Sequence, residues 1–118
     1  MSQPSFSFPR EWILKKPDSF RELRRSGLRL RGESIEIFYR PVAGDVFRLG
    51  FSTRKKLAGA VGRNRARRLM REVFRLHQHE IKRGIECLFV WYGPIRGVRY
   101  PTAEQEIMKL LRQGDLLK

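Results

Sequence analysis

The segment from Asn64 to Lys82 constrains this chain more than any other. On a helix advancing about 100° per residue, Ala66, Leu69, Met70, Val73, Leu76 and Ile81 fall on one side, while Arg68, Arg71, Arg75 and Lys82 gather opposite. A helix with one apolar stripe is stable only when that stripe is covered, so the rest of the chain must supply a receiving surface. The other stripe must face water or anions, because burying unpaired guanidinium groups is prohibitively costly. Gly84 is the expected stop.

The receiving surface is predicted from two alternating segments. Ser34 to Arg40 places Ile35, Ile37 and Tyr39 on one face and Ser34, Glu36, Phe38 and Arg40 on the other. Val46 to Thr53 directs Phe47, Leu49 and Phe51 inward and Arg48, Gly50 and Ser52 outward. With Gly44-Asp45 as the turn, the two read as a hairpin. Its open face carries Phe38 beside Arg48 and Ser52, where an aromatic ring suits a stacked base; equally, a second helix could cover Phe38 as ordinary core.

Residues 1–16 read as an irregular arm. Pro17 and Asp18 open a short helix through Ser26, stopped at Gly27, with Phe20 and Leu23 on one face. Glu86 to Tyr92 reads as a covered strand broken by Gly93-Pro94. Pro101 and Thr102 start the last helix, Thr102 and Gln105 having capping-box spacing; Ile107, Met108, Leu110 and Leu111 form its buried stripe, and Gly114 stops it. The expected order is helix, strand, strand, helix, strand, helix: an α+β fold with a small mixed sheet packed with three helices. At 118 residues and 41% hydrophobic content, a single domain is expected over 1–118.

Charge narrows the function. The net charge is +14. Residues 52–83 hold eleven Lys and Arg against Glu72 and Glu80, whereas 102–118 balance at zero. An excess of that size calls for a polyanion, and nucleic acid is the leading candidate. No run approaches the roughly 18 apolar residues of a membrane span, and Met1 to Arg10 lack the apolar core of a signal peptide, so a cytoplasmic protein without a membrane partner is expected. Cys87, the one cysteine, excludes an intrachain disulfide and a cysteine-based zinc site; between Glu86 and Leu88-Phe89 it reads as a buried thiol.

The informative stretch is Arg54-Lys55-Lys56, then Gly59-Ala60-Val61-Gly62, then Arg63-Asn64-Arg65-Ala66-Arg67-Arg68 and Arg71-Glu72. Guanidinium groups bind phosphate oxygens bidentately, Asn64 can donate and accept, and a glycine-rich turn admits RNA backbone to a helix N-terminus. The plainer alternative is a solvated helix face, yet such faces usually mix signs. No carboxylate cluster or acid–base pair suggests catalysis by the chain. His77 and His79 are two apart, pointing about 200° away from each other on a helix, and read as surface histidines. Gly59 to Gly62 fits the G-x-x-G spacing of KH domains, but there the loop joins two helices. A helix-turn-helix lacks its preceding helix. A ribosomal or other structural RNA-binding protein would show the same charge and the same lack of catalytic groups.

The ordered set Arg48-Leu49-Gly50, Arg54-Lys55-Lys56, Ala60-Val61, Arg63-Asn64-Arg65, Arg67-Arg68 and Arg71-Glu72 resembles the Arg-Asn-Arg motif of the bacterial ribonuclease P protein subunits. Leu14-Lys15-Lys16 and Asp18-Ser19-Phe20 are similar to that family's opening. The resemblance implies an accessory protein: the RNA subunit, with magnesium ions bound through it, hydrolyses precursor tRNA to free the mature 5′ end, and the protein helps hold the substrate. It implies catalytic-RNA contacts at Arg63, Asn64, Arg65, Arg67, Arg68 and Arg71, and Arg54, Lys55 and Arg75 on the same cationic surface are expected to bind that RNA as well. Phe20, Phe38, Ser52 and Lys56 would line a cleft for the precursor's 5′ leader. The family also implies a left-handed crossover around the central helix; from the sequence, no motif for a protein-bound cofactor and no obligate protein partner is expected. Ala58, where glycine is usual, and Arg24, where an aromatic is common, depart from the pattern.

Overall fold

The computed structural model describes residues 13, 14 and 17–118 except Val46 and Ala58, and the side chains of Pro17 and Asp18 are not described. The expected arm, apart from Ile13 and Leu14, and the Lys15-Lys16 and Ala58 positions therefore lie outside the described residues. The elements are α1 (Pro17–Ser26), β1 (Leu28–Arg31), β2 (Ile35–Pro41), β3 (Phe47–Thr53), α2 (Gly59–His77), β4 (Ile85–Trp91) and α3 (Tyr100–Gln113). They form a mixed four-stranded sheet in the order β1-β2-β4-β3. β1 and β2, and β2 and β4, are antiparallel; β3 and β4 are parallel.

The α+β class and three helices agree with the sequence expectation, but the element order gains a strand. β1 is Leu28-Arg29-Leu30-Arg31, an edge strand whose residues are exposed except for half-buried Leu30. Its alternation is present in the sequence, but four residues directly after a helix stop give a weak signal. The hairpin is correspondingly β1–β2, closed where the Gly32 N–H donates to the Ile35 carbonyl at 2.8 Å. β2 and β3 do not pair. β4 lies between them, with all seven of its residues buried; a strand that is apolar apart from Glu86 is stabilised most in the middle of a sheet.

Two apolar layers follow. On one face, α2 and α3 cover Ile35, Ile37, Phe47, Leu49, Phe51, Phe89 and Trp91. Phe74, which the helical stripe omitted, is fully buried there, with its ring 4.4 Å from Phe89, 5.8 Å from Phe51 and 6.2 Å from Phe47 between centroids. On the other face, Leu23 of α1 with Leu14 covers Phe38, Leu88 and Val90, and Phe20 packs alongside. A Cβ on Gly50 would stand 2.6 Å from the Phe20 ring, so the absence of a side chain there lets α1 lie close to the sheet.

Helix ends also differ. α2 begins at Gly59, whose φ of +70° is a conformation open chiefly to glycine, so Gly62 is a helical residue and no separate glycine-rich turn precedes Arg63. It ends at His77 and tightens into a 3-10 turn, Gln78–Glu80, which takes Lys82 off the cationic stripe and leaves Leu76 39% exposed. α3 starts at Tyr100 with Arg99 as its N-cap residue, so Thr102 lies within the first turn and forms no capping box. Its C-terminal stop at Gly114 agrees with expectation, the Gly114 N–H donating to Leu110 at 3.0 Å.

Candidate nucleic-acid interface

The register places three rows across the α1 side of the sheet: Arg31–Glu36–Val90–Ser52, Arg29–Phe38–Leu88–Gly50, and Arg40–Glu86–Arg48. Phe38 therefore does not stand beside Arg48, as the expected hairpin had it; β4 separates them. Arg48 and Arg40 instead flank the buried Glu86 carboxylate at 3.6 and 3.2 Å. Phe38 belongs both to the core and to the wall of a cavity. It is 9% exposed beneath α1, yet its remaining surface lines a cavity of about 610 Å³.

That cavity has an apolar floor of Phe38 and Val90 and a rim of Arg24, Arg31, Arg54, Lys55 and Lys56, with Glu36 the one carboxylate among its described lining residues. Glu36 is held by Arg29 at 3.0 Å and Arg31 at 3.9 Å. Arg29 also lies over the Phe38 ring at 5.7 Å, and Arg31 over Tyr92 at 5.1 Å. Of the expected cleft residues, Phe38 and Lys56 line the cavity; Phe20 lies farther along, over Gly50, and Ser52 of β3 stands next to Val90 in its row without lining the cavity. Arg54 and Lys55, assigned by sequence to the helical surface, stand on the cleft rim, at the corner where β3 leads to α2. Sequence reasoning missed Arg29, Arg31 and Tyr92. The Leu-Arg-Leu-Arg alternation was the available signal for the two arginines.

The second cationic surface is α2. Asn64, Arg68 and Arg71 are exposed, and Arg63 and Arg67 are half-buried. Arg63 reaches the Lys55 carbonyl at 3.3 Å, Arg67 donates to Asn64 Oδ1 at 2.6 Å, and Arg71 lies 5.8 Å from the Phe51 ring centroid. Two expected contact residues are engaged elsewhere. Arg75 pairs with Glu72 through its Nε at 3.0 Å, and that hydrogen bond holds the Glu72 carboxyl below its usual range. Arg65 donates to the Ile95 carbonyl at 3.1 Å and also to that of Val98.

The histidines separate in role. His79 is exposed. His77 is half-buried between carboxylates, bonded to Glu104 of α3 at 2.8 Å and to Glu80. Burial lowers its pKa, but the hydrogen bonds to Glu104 and Glu80 outweigh burial and raise it overall. Tyr100 donates to Glu104 at 2.9 Å, its own pKa being pushed up to about 12, chiefly by burial. This cluster joins α2 to α3. Cys87 is fully buried, and burial pushes its thiol pKa up, away from reactivity. Among the described residues, no three His, Cys, Asp or Glu side chains gather to hold a metal ion, and no helix is long and apolar enough to cross a membrane.

A cationic helix and a basic cleft with an apolar floor, meeting at Arg54–Lys56 on an α+β scaffold, define a protein suited to bind a flexible polyanion. The sequence profile of the Ribonuclease P family matches residues 8–114. The chain is 34% identical over 103 residues to the ribonuclease P protein component of Caldanaerobacter subterraneus subsp. tengcongensis, covering 87% of this chain and 89% of that one. It is also 34% identical to that of Chloroflexus aggregans, covering 88% and 78%. The chain belongs to the family of ribonuclease P protein components, whose work is tRNA processing. Its fold is that of the solved RNase P proteins of Staphylococcus aureus (TM-score 0.80, 23% identity, 91% and 98% of the chains) and Thermotoga maritima (TM-score 0.78, 24% identity, 86% and 96%).

Proposed function

We propose that this chain acts as one RNA-binding domain in the ribonuclease P ribonucleoprotein, gripping the catalytic RNA with α2 and the 5′ leader of precursor tRNA with the α1–sheet cleft. The observation that carries this reading is the meeting of the two surfaces at Arg54–Lys56. One protein can thereby hold a folded RNA and a single strand next to each other. Exposed Arg68 and Arg71, with Arg63, Asn64 and Arg67, present guanidinium and amide groups suited to phosphate oxygens. In the cleft, Phe38 offers the edge of a stacking surface, and Arg24, Arg31, Arg54, Lys55 and Lys56 match the phosphates on either side.

In this reading the hydrolytic step belongs to the RNA and to magnesium ions bound through it, while the protein supplies position. Holding the leader converts part of substrate binding into an intramolecular step and screens repulsion between two polyanions. The test is cleavage of a precursor tRNA at low magnesium by a bacterial ribonuclease P RNA, by the chain, and by both. Stimulation only by the pair is expected. Tight RNA binding without stimulation would favour a purely structural RNA-binding role, and cleavage by the chain alone would overturn the assignment of catalysis to RNA.

A further inference from the structure

The cationic surface continues beyond α2, onto the link from Tyr92 to Arg99 that joins β4 to α3. That link is pinned along its length. The Tyr92 and Gly93 N–H groups donate to the Ser34 carbonyl at 2.8 and 3.1 Å, and a Cβ on Gly93 would stand 2.5 Å from Ser34 Oγ. Ile95 is buried at 3% exposure. The Arg65 guanidinium then ties the Ile95 and Val98 carbonyls to the side of α2. Past Arg99, Tyr100 borders one shallow pocket together with Arg68 and Leu69. The link therefore runs beside the helix from Arg65 to Arg68, with Arg96 and Arg99 exposed on it.

Arg96 shares a notch of about 410 Å³ with Arg54 and Lys56, floored by Leu57, Tyr92 and Pro94, and none of the described residues lining it is acidic. We infer that this link is a second cationic edge of the RNA interface: Arg96 and Arg99 bind phosphates of the catalytic RNA beside those taken by α2, and Arg65 is a positioning residue that holds the link in place. The inference rests on the reading of α2 given above. A guanidinium already donating to two backbone carbonyls has fewer N–H groups to offer a phosphate, whereas a pinned link presents its arginines with less ordering cost on binding.

The experiment is titration of a bacterial ribonuclease P RNA with the full chain over a range of salt, with no precursor present. Arg96→Ala with Arg99→Ala should lower the log–log salt slope by about 1.4 for single-stranded phosphates, or about 1.8 for duplex. Arg112→Ala, which removes a charge from the last turn of α3, should leave the slope unchanged. Arg65→Ala alone should also lower the slope, yet add little in the Arg96→Ala/Arg99→Ala background, because it acts through the link. Arg65→Lys should not rescue, since an ammonium lacks the planar fork that reaches two carbonyls.

An unchanged slope in the double variant, with Arg68→Ala/Arg71→Ala still effective, would overturn the link and leave the helix reading intact. A full additive loss from Arg65→Ala would return Arg65 to the phosphates and overturn its positioning role. A loss seen only after precursor is added would assign these phosphates to the leader and overturn the inference. If Arg68→Ala/Arg71→Ala is equally without effect, the reading of α2 falls with it.

Discussion

Replacing Phe38 by leucine separates the two roles its position gives it. The side chain is 9% exposed, covered by Leu23 and Leu14, flanked in the sheet by Leu88 and Val90, with Phe20 packed alongside, so most of the ring is core and only an edge reaches the cleft. Leucine keeps much of the buried apolar volume, and a hydrophobic swap of this kind should cost less than about 1.5 kcal/mol in stability. It removes the aromatic edge on which a base can stack and the ring beneath Arg29, 5.7 Å away. A stacked base is worth about 1–3 kcal/mol; with so little of the ring accessible, the lower end applies, corresponding to an affinity loss of roughly fivefold. The assay is equilibrium binding of precursor and mature tRNA by the reconstituted holoenzyme, with a urea titration of the protein alone. The precursor should lose that factor and mature tRNA almost nothing, at near-constant stability. Equal losses for both RNAs, or none for either, would refute the placement of a leader base against Phe38.

Arg68→Ala/Arg71→Ala should weaken binding to ribonuclease P RNA and lower its salt slope by about 0.7 for each single-strand phosphate that is no longer neutralised; an unchanged slope removes α2 from the interface. Phe74→Ala should cost about 3–5 kcal/mol in urea unfolding, because the ring is fully buried and touches three others, and a cost under about 1 kcal/mol would show that the core collapses around the gap. His77→Gln should be destabilising at about pH 6, with the difference from the unsubstituted protein shrinking as pH rises above the unfolded value. The sign follows from the raised folded-state pKa: stabilisation by the cation is complete below the unfolded value of about 6.5 and is lost as pH climbs through the folded value, so a difference that grows with pH would exclude the imidazolium between Glu80 and Glu104.

Much of the candidate interface was legible because charge and period are local properties. The concentration of arginine between 52 and 83 and the apolar stripe through Ala66, Met70 and Val73 are visible without coordinates, and both mark α2. The aromatic at Phe38 and the basic triplet Arg54–Lys56 were equally apparent as candidates. The side-chain partners were not. Arg65 and Arg68 are the same residue type three positions apart, but Arg65 faces two carbonyls of the β4–α3 link while Arg68 is exposed. Nothing in their immediate sequence distinguishes an arginine left exposed from one that serves as a tether.

By itself, the sequence determined the element types, the apolar faces and a basic helix that needs an anion, since each depends on residues within a few turns or strand positions. Tertiary structure decided which strands are neighbours. Inserting β4 between β2 and β3 places Leu88 rather than Arg48 beside Phe38 and buries Glu86 among Arg40 and Arg48, while pairing of β1 with the other edge of β2 brings Arg29 and Arg31 to the same face. The physical reason is that strand pairing is selected by the burial of both faces of the whole sheet at once, a global quantity that no single alternating segment contains.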